Sequence, residues 1–185
     1  MKLFGEMPYL ENDRLYMREM QEGDAKDLEA IAKDRAVYIY LPTFLYEQKY
    51  DDASEVIQRM RKECFETRES ILLGVFLKEN PEHMIGIGEI YAYDEAKNKA
   101  SLGVRLAKEA WHKGIACEVV SLLLGYLVDV VEIRTVTAHV MTHNIASQKI
   151  TERAGLQKKF FGLWEDWGRE GPVLVDKFIW KKPKK

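Results

Sequence analysis

Polar and apolar positions alternate along Arg14–Met20, which predicts a first strand. Gly23-Asp24 then turns the chain into a helix, with Asp24 as its cap and Leu28, Ile31 and Ala32 on one side, giving way near Arg35. A second helix starts at Asp51-Asp52 and ends around Thr67, because Val56, Ile57, Met60 and Cys64 share one face while Glu55, Gln58, Arg59 and Lys62 share the other. Three strands follow. Ser70–Lys78 is a continuous apolar run suited to full burial, Asn80-Pro81 is a turn, His83–Tyr93 is the next strand, and Asp94–Asn98 connects it to Lys99–Leu106. Ile115–Val128 carries the longest apolar helical pattern. Arg134–Met141 alternates Val136, Ala138 and Val140 with Thr135, Thr137 and His139. A helix capped by Asn144 runs to Gly155, and two last strands, Gln157–Trp164 and Val173–Trp180, are joined through Gly168, Gly171 and Pro172. Strand, two helices, three strands, helix, strand, helix and two strands make a mixed α/β plan around a central sheet.

The chain has 185 residues, 46% hydrophobic and 31% charged, enough for one domain (1–185) with a real core. Its net charge of −2 gives no reason to expect a nucleic-acid partner, and the lysine-rich end, Lys181 to Lys185, reads as a solvated tail. Cys64 and Cys117 are too few for a disulfide scaffold or a zinc site, and His83, His112, His139 and His143 lack metal-ligand spacing, so no metal is expected. Met1–Leu10 is not a signal-peptide pattern, and no stretch approaches the roughly 20 apolar residues of a membrane span. The expectation is a cytoplasmic protein without membrane contact.

The stretch Trp111-His112-Lys113-Gly114-Ile115-Ala116 passes from a strand into a helix through small residues. Such a turn leaves backbone N–H groups aimed at one point, with the helix dipole adding positive charge, and suits a phosphate or pyrophosphate. A glycine that merely starts a helix would look the same. The P-loop pattern is absent, and Gly86-Ile87-Gly88 lacks the third glycine of a dinucleotide fingerprint at Tyr91.

Trp111–Ala116 resembles the acyl-CoA pyrophosphate loop of the GNAT acetyltransferase superfamily, in its variant with Trp at the first position. The ordered set around it strengthens the resemblance: the strands Ile85–Ile90 and Ala100–Leu106 before it, then the strand Thr135–Met141, then Asn144-Ile145-Ala146-Ser147 ending in Glu152-Arg153-Ala154-Gly155-Leu156. It is good from Ile85 to Leu156, weak over Val37–Lys49, and nearest the branch of ribosomal-protein N-terminal acetyltransferases and spermidine acetyltransferases. It implies a mostly antiparallel sheet of about seven strands with about four helices, splayed between strands four and five. It further implies that acetyl-CoA fills the gap, its pantetheine arm on the backbone of Val104, Arg105 and Leu106. The pyrophosphate would lie on His112–Ala116 beside Trp111 and Lys113, and Asn144 and Ser147 would flank the cofactor arm.

Acetyl transfer to an amine needs a neutral amine, a polarised thioester carbonyl and a proton for the leaving thiolate. An alkyl ammonium with a pKa near 10 must first lose a proton. Glu89, in a Gly-x-x-Glu-hydrophobic run, is the first candidate base, with Glu165 and Asp166, between Trp164 and Trp167, the next. Either set also reads as solvated carboxylates. Relatives place a proton-donating tyrosine where this chain has Thr151, so Ser147 is the candidate donor. No covalent nucleophile is needed, which leaves Cys117 a helix residue. The tyrosine-rich segment Val37–Tyr50 is either loop packing or one wall of an acceptor pocket. The acceptor is expected to be a small-molecule amine, including a polyamine, or a protein N-terminal amine. A noncatalytic acyl-CoA-binding module and another phosphate-binding α/β domain are the rival readings, and apolar strands near the end of the chain admit a homodimer.

Overall fold

The computed structural model describes residues 3–183. Its elements are β1 (Leu10–Glu11), β2 (Leu15–Glu19), α1 (Ala25–Lys33), α2 (Arg35–Tyr38), α3 (Ala53–Met60), β3 (Ser70–Leu77), β4 (Asn80–Asp94), β5 (Lys99–Leu106), α4 (Ile115–Gly125), β6 (Thr135–Met141), α5 (Ile145–Arg153), β7 (Gln157–Glu165) and β8 (Val173–Lys181). They build one eight-stranded sheet in the order β1-β2-β3-β4-β5-β6-β8-β7, antiparallel throughout except between β5 and β6. The expected plan holds, with two short additions, β1 at one edge and α2 after α1.

Three local expectations need correction. Asp24 does not cap α1 with its side chain, because its carboxylate instead accepts from the Arg18 guanidinium at 2.7 and 3.0 Å and from Gln21 N–H at 2.7 Å. The β3–β4 turn lies at Lys78-Glu79, and Pro81 sits in an irregular stretch of β4, where its missing N–H breaks no ladder bond. The second amphipathic helix keeps its expected end at Thr67, its last turns over Arg61–Glu66 widening from α to π. Finally, Lys181 ends β8 and Lys182 follows it directly, both tied to β6 and the residue before it rather than lying in a tail. Lys181 pairs with Thr135, and Lys182 N–H donates to Arg134 O at 2.9 Å. Lys184 and Lys185 lie outside the described residues.

Each face of the sheet carries its own core. Leu73, Val75, Ile90, Leu102, Val136 and Ala138 pack with Ile115, Val119, Val120 and Leu123 of α4. On the other face Leu72, Phe76, Met84 and Ile87 pack with Leu28 and Ile31 of α1 and with Val56, Ile57 and Met60 of α3. Each such side chain contributes about 1.5–3 kcal/mol by leaving water, so packing, more than helix propensity, holds these helices.

Gly86 lets β4 and β5 approach closely. A Cβ there would lie 2.4 Å from Leu106 Cδ2 and 2.6 Å from the Arg105 carbonyl. Because one obstacle is backbone, Gly86→Ala is expected to lower stability by roughly 1–3 kcal/mol, measurable by urea denaturation.

The expected splay lies between β5 and β6. They pair only at Lys99↔Thr135, Ala100↔Val136 and Ser101↔Thr137, and the last pair is clasped by a buried contact of 2.7 Å between Ser101 Oγ and Thr137 Oγ1. Beyond it β5 stays with β4 and β6 with β8. Since β5 and β6 are parallel, the gap opens at the C-terminal ends of both, where the chain leads into α4 and α5.

Candidate active site

One wall of the gap is the free side of β5. Ala107 N–H donates to Ile85 O at 2.9 Å. Backbone groups alternate in direction along an antiparallel strand, so Arg105 and Gly103 also turn theirs to β4, whereas Leu106 and Val104 turn theirs to the gap. The Trp111 indole N–H donates to Leu106 O at 2.8 Å, which leaves the Leu106 N–H facing the gap. Of the three residues expected to meet a cofactor arm, Val104 and Leu106 present backbone to it and Arg105 does not.

At the open end, His112 (φ 60°) and Gly114 (φ 80°) take left-handed conformations and α4 begins at Ile115. The Gly114 carbonyl accepts from Cys117 and Glu118 N–H at 3.1 and 3.3 Å. The N–H groups of His112, Lys113, Gly114, Ile115 and Ala116 donate to no acceptor among the described residues. Five free amides around a helix N-terminus form an anion nest. The turn is tied down from the β1–β2 connection: Arg14 donates to Lys113 O and to Glu118 Oε1, each at 2.9 Å, and Asn12 Nδ2 donates to Glu118 Oε2 at 2.9 Å. His112 and Lys113 are exposed, and Trp111 is half-buried.

Asn144 caps α5, its Oδ1 accepting from Ser147 N–H at 3.1 Å, and both side chains are half-buried. Thr151 is buried and donates to Ser147 O at 2.8 Å, so its hydroxyl is spent inside the helix. Cys117 is half-buried on α4.

The opposite face of the sheet gathers charge. Glu89, on β4 opposite Gly103, accepts from Arg105 Nη1 at 2.7 Å. Arg105 also donates through Nε and Nη2 to Glu47, the second bond at 2.6 Å, and the Tyr38 hydroxyl donates to Glu47 at 2.9 Å. Burial would lower the Arg105 pKa, but Glu47 and Glu89 outweigh it and raise it. Glu89 is held above the ordinary carboxylate range by burial, with Glu47 adding to the rise, although Arg105 opposes it. Burial also raises the neighbouring Tyr91 phenol, with the charges of Glu89 and Glu165 adding to it.

Glu165 and Asp166 go separate ways. Glu165 Oε1 lies 2.6 Å from His139 Nδ1, and its Oε2 accepts from the buried Trp167 indole at 2.9 Å. Asp166 is exposed and accepts from Gly168 N–H at 2.8 Å, closing a turn. That turn meets the tyrosine-rich segment: Thr43 N–H donates to Trp167 O at 2.9 Å, the Thr43 hydroxyl donates to Gly168 O at 2.8 Å, and Arg169 Nη2 donates to the carbonyls of Tyr38, Ile39 and Leu41 at 2.7–2.9 Å. The two segments therefore form one rim over the polar face. Sequence reasoning missed Glu47, Arg14, Ser101 and His139. For His139 the available signal was its place on the polar side of β6 with Thr135 and Thr137.

The chain matches the Acetyltransferase (GNAT) domain over residues 14–157 and belongs to that family. The N-acetyltransferase p20 of Bacillus licheniformis, itself uncharacterized, is 27% identical over 175 residues, 94% of each chain. The spermidine N-acetyltransferase of Vibrio cholerae in complex with CoA and spermine superposes with a TM-score of 0.74 at 18% identity, covering 92% of this chain and 96% of that one. RimL, a ribosomal L7/L12 α-N-protein acetyltransferase in complex with coenzyme A, gives 0.77 at 13% identity, covering 94% and 98%. The chain is thus an N-acetyltransferase of GNAT fold. Among the described residues no helix is long and apolar enough to cross a membrane.

Proposed function

We propose that this chain moves the acetyl group of acetyl-CoA to a primary amine, either a small amine or a protein N-terminal amine, by direct attack. The observation that carries this reading is the β5–β6 gap, with Val104 and Leu106 backbone on one wall and the five free amides of His112–Ala116 at its open end. A pantetheine arm would add to β5 as a short strand, and the pyrophosphate would take the amides. Leu106 N–H is placed to polarise the thioester carbonyl, Asn144 borders the cofactor arm, and the Ser147 hydroxyl gives the leaving thiolate its proton.

The acceptor enters from the face that carries Glu89 and Glu165, under the rim of Val37–Tyr50 and Asp166–Arg169. Carboxylates on a half-buried face favour a cation, so the acceptor arrives as an ammonium.

The test is thiol release from acetyl-CoA with spermidine, spermine, kanamycin, free amino acids and short peptides with free N-terminal serine or alanine. Turnover with one class names the acceptor; failure of the wild-type protein to bind CoA would overturn the reading. Glu89→Gln is expected to lower kcat/KM for the amine about tenfold or more, mainly through KM, with CoA affinity unchanged.

A further inference from the structure

We propose that His139 Nε2 is the group that takes the proton of the acceptor ammonium, and that Glu165 is the positioning residue that holds its imidazole. The proposal rests on the acetyl-CoA reading of the β5–β6 gap and adds to it the base that the sequence did not reveal.

His139 lies on β6 two residues beyond Thr137, the last residue of that strand paired with β5. It therefore stands on the wall of the gap where the two strands have parted. By strand alternation its side chain shares the face of Thr137, while Val136, Ala138 and Val140 point into the core below. Glu89 and Tyr91 lie on the same face from β4.

The imidazole is fixed at one nitrogen and free at the other. Nδ1 meets Glu165 Oε1 at 2.6 Å, and Glu165 is fixed in turn because Trp167 donates to its other oxygen at 2.9 Å. A carboxylate partner places the imidazole proton on Nδ1 and the lone pair on Nε2. Nε2 has no hydrogen-bond partner among the described residues, and the side chain is 21% exposed, so a ligand on this face can reach it.

The carboxylates themselves are worse placed. Glu89 accepts a charge-assisted bond from Arg105, both oxygens of Glu165 are engaged, and Asp166 lies on an exposed turn. The charged groups around His139 are Glu165 from the end of β7, Lys177 from β8, where it pairs with His139, and Lys99 from β5, while Tyr91 and Glu89 share its sheet face from β4. Burial is the main cause that holds its imidazolium below the ordinary histidine range. Glu165 pulls it upward, and Lys177 and Lys99 push it further down. At neutral pH the ring is therefore uncharged and able to accept a proton.

In the step itself an N–H bond of the ammonium breaks and its proton goes to Nε2. The freed lone pair forms the C–N bond at the acetyl carbonyl carbon, the C–S bond breaks, and the thiolate takes the second amine proton through Ser147. Ammonium and thioester become amide and thiol, and the proton on His139 leaves to solvent.

The test uses the full chain with acetyl-CoA and two probes, spermidine and a short peptide with a free N-terminal serine. His139→Gln should lower kcat about 100-fold or more while leaving CoA affinity within twofold. The wild-type pH profile of kcat/KM should rise through a limb below the ordinary histidine pKa, and that limb should vanish in His139→Gln. In Glu165→Gln it should move lower still, because the group that raised the histidine pKa is gone. A purely structural His139 would lower the thermal midpoint and keep the limb. Nitrogen NMR of the imidazole decides even if neither probe is acetylated: the neutral ring should carry its proton on Nδ1 in the wild type and on a mixture of nitrogens in Glu165→Gln. A proton on Nε2, or near-wild-type turnover in His139→Gln, overturns the proposal. Failure of the gap reading would show separately, as absence of CoA binding to the wild type.

Discussion

Gly114→Glu is expected to abolish CoA binding, lowering affinity by about 100-fold or more, while the protein stays folded. The five free amides of His112–Ala116 converge where α4 begins, and the substitution sets a carboxylate at their centre, in direct competition with a pyrophosphate. Folding should survive. Gly114 has φ +80°, and a side chain there costs about 1–2 kcal/mol of backbone strain. Nothing lies within 4 Å of a Cβ at that position, and a negative charge at a helix N-terminus returns about 0.3–1 kcal/mol. Gly114→Ala carries the strain without the charge and should therefore keep most of the affinity. Calorimetric titration with CoA, beside thermal melts of both variants, separates the two effects. Wild-type affinity in a folded Gly114→Glu protein would remove the pyrophosphate from this turn.

What was legible in the sequence was local. The alternation of β2 and β6, the small-residue turn before α4 and the Asn144 cap are each set by residues a few positions apart, and each appears where its pattern placed it. Their order along the chain carried the resemblance to the GNAT family, and it was that resemblance, not the pattern itself, that implied the splayed sheet and its gap. The charged face proposed for the acceptor was not legible because its bonds join distant residues: Glu47 and Arg105 are 58 positions apart, and His139 and Glu165 are 26 apart. No period marks such a pair. Glu165 and Asp166 are adjacent in sequence and chemically alike, yet one reaches across the sheet to a histidine and the other closes a turn. Asp24 was misread for a similar reason, since Arg18, on the preceding strand, outcompetes the first turn of α1 for its carboxylate.

The same long-range network makes Arg105 the side chain whose removal should cost most in stability. It is 3% exposed, and Glu47, its closer partner, is fully buried. Arg105→Met preserves much of the volume but leaves Glu47 and Glu89 facing each other without the cation between them. Breaking a buried ion pair by removing one member costs about 3–5 kcal/mol, because the remaining charge is neither solvated nor paired. In a chain of this size that corresponds to a fall in Tm of roughly 10 °C. The deficit should also depend on pH. Burial already holds Glu89 above the ordinary carboxylate range, and loss of Arg105 raises it further. A carboxyl whose folded pKa lies above its unfolded value stabilises the fold while protonated and loses that contribution as pH rises through the folded pKa. Arg105→Met should therefore lie closer to wild-type stability at pH 5 than at pH 8. Urea denaturation at both pH values tests this. Wild-type stability at pH 8, or a deficit that grows toward pH 5, would mean that the three charges are solvated and do not form the buried floor of the acceptor site. Activity should fall along with stability if Glu89 meets the acceptor as proposed, since Arg105 fixes its carboxylate.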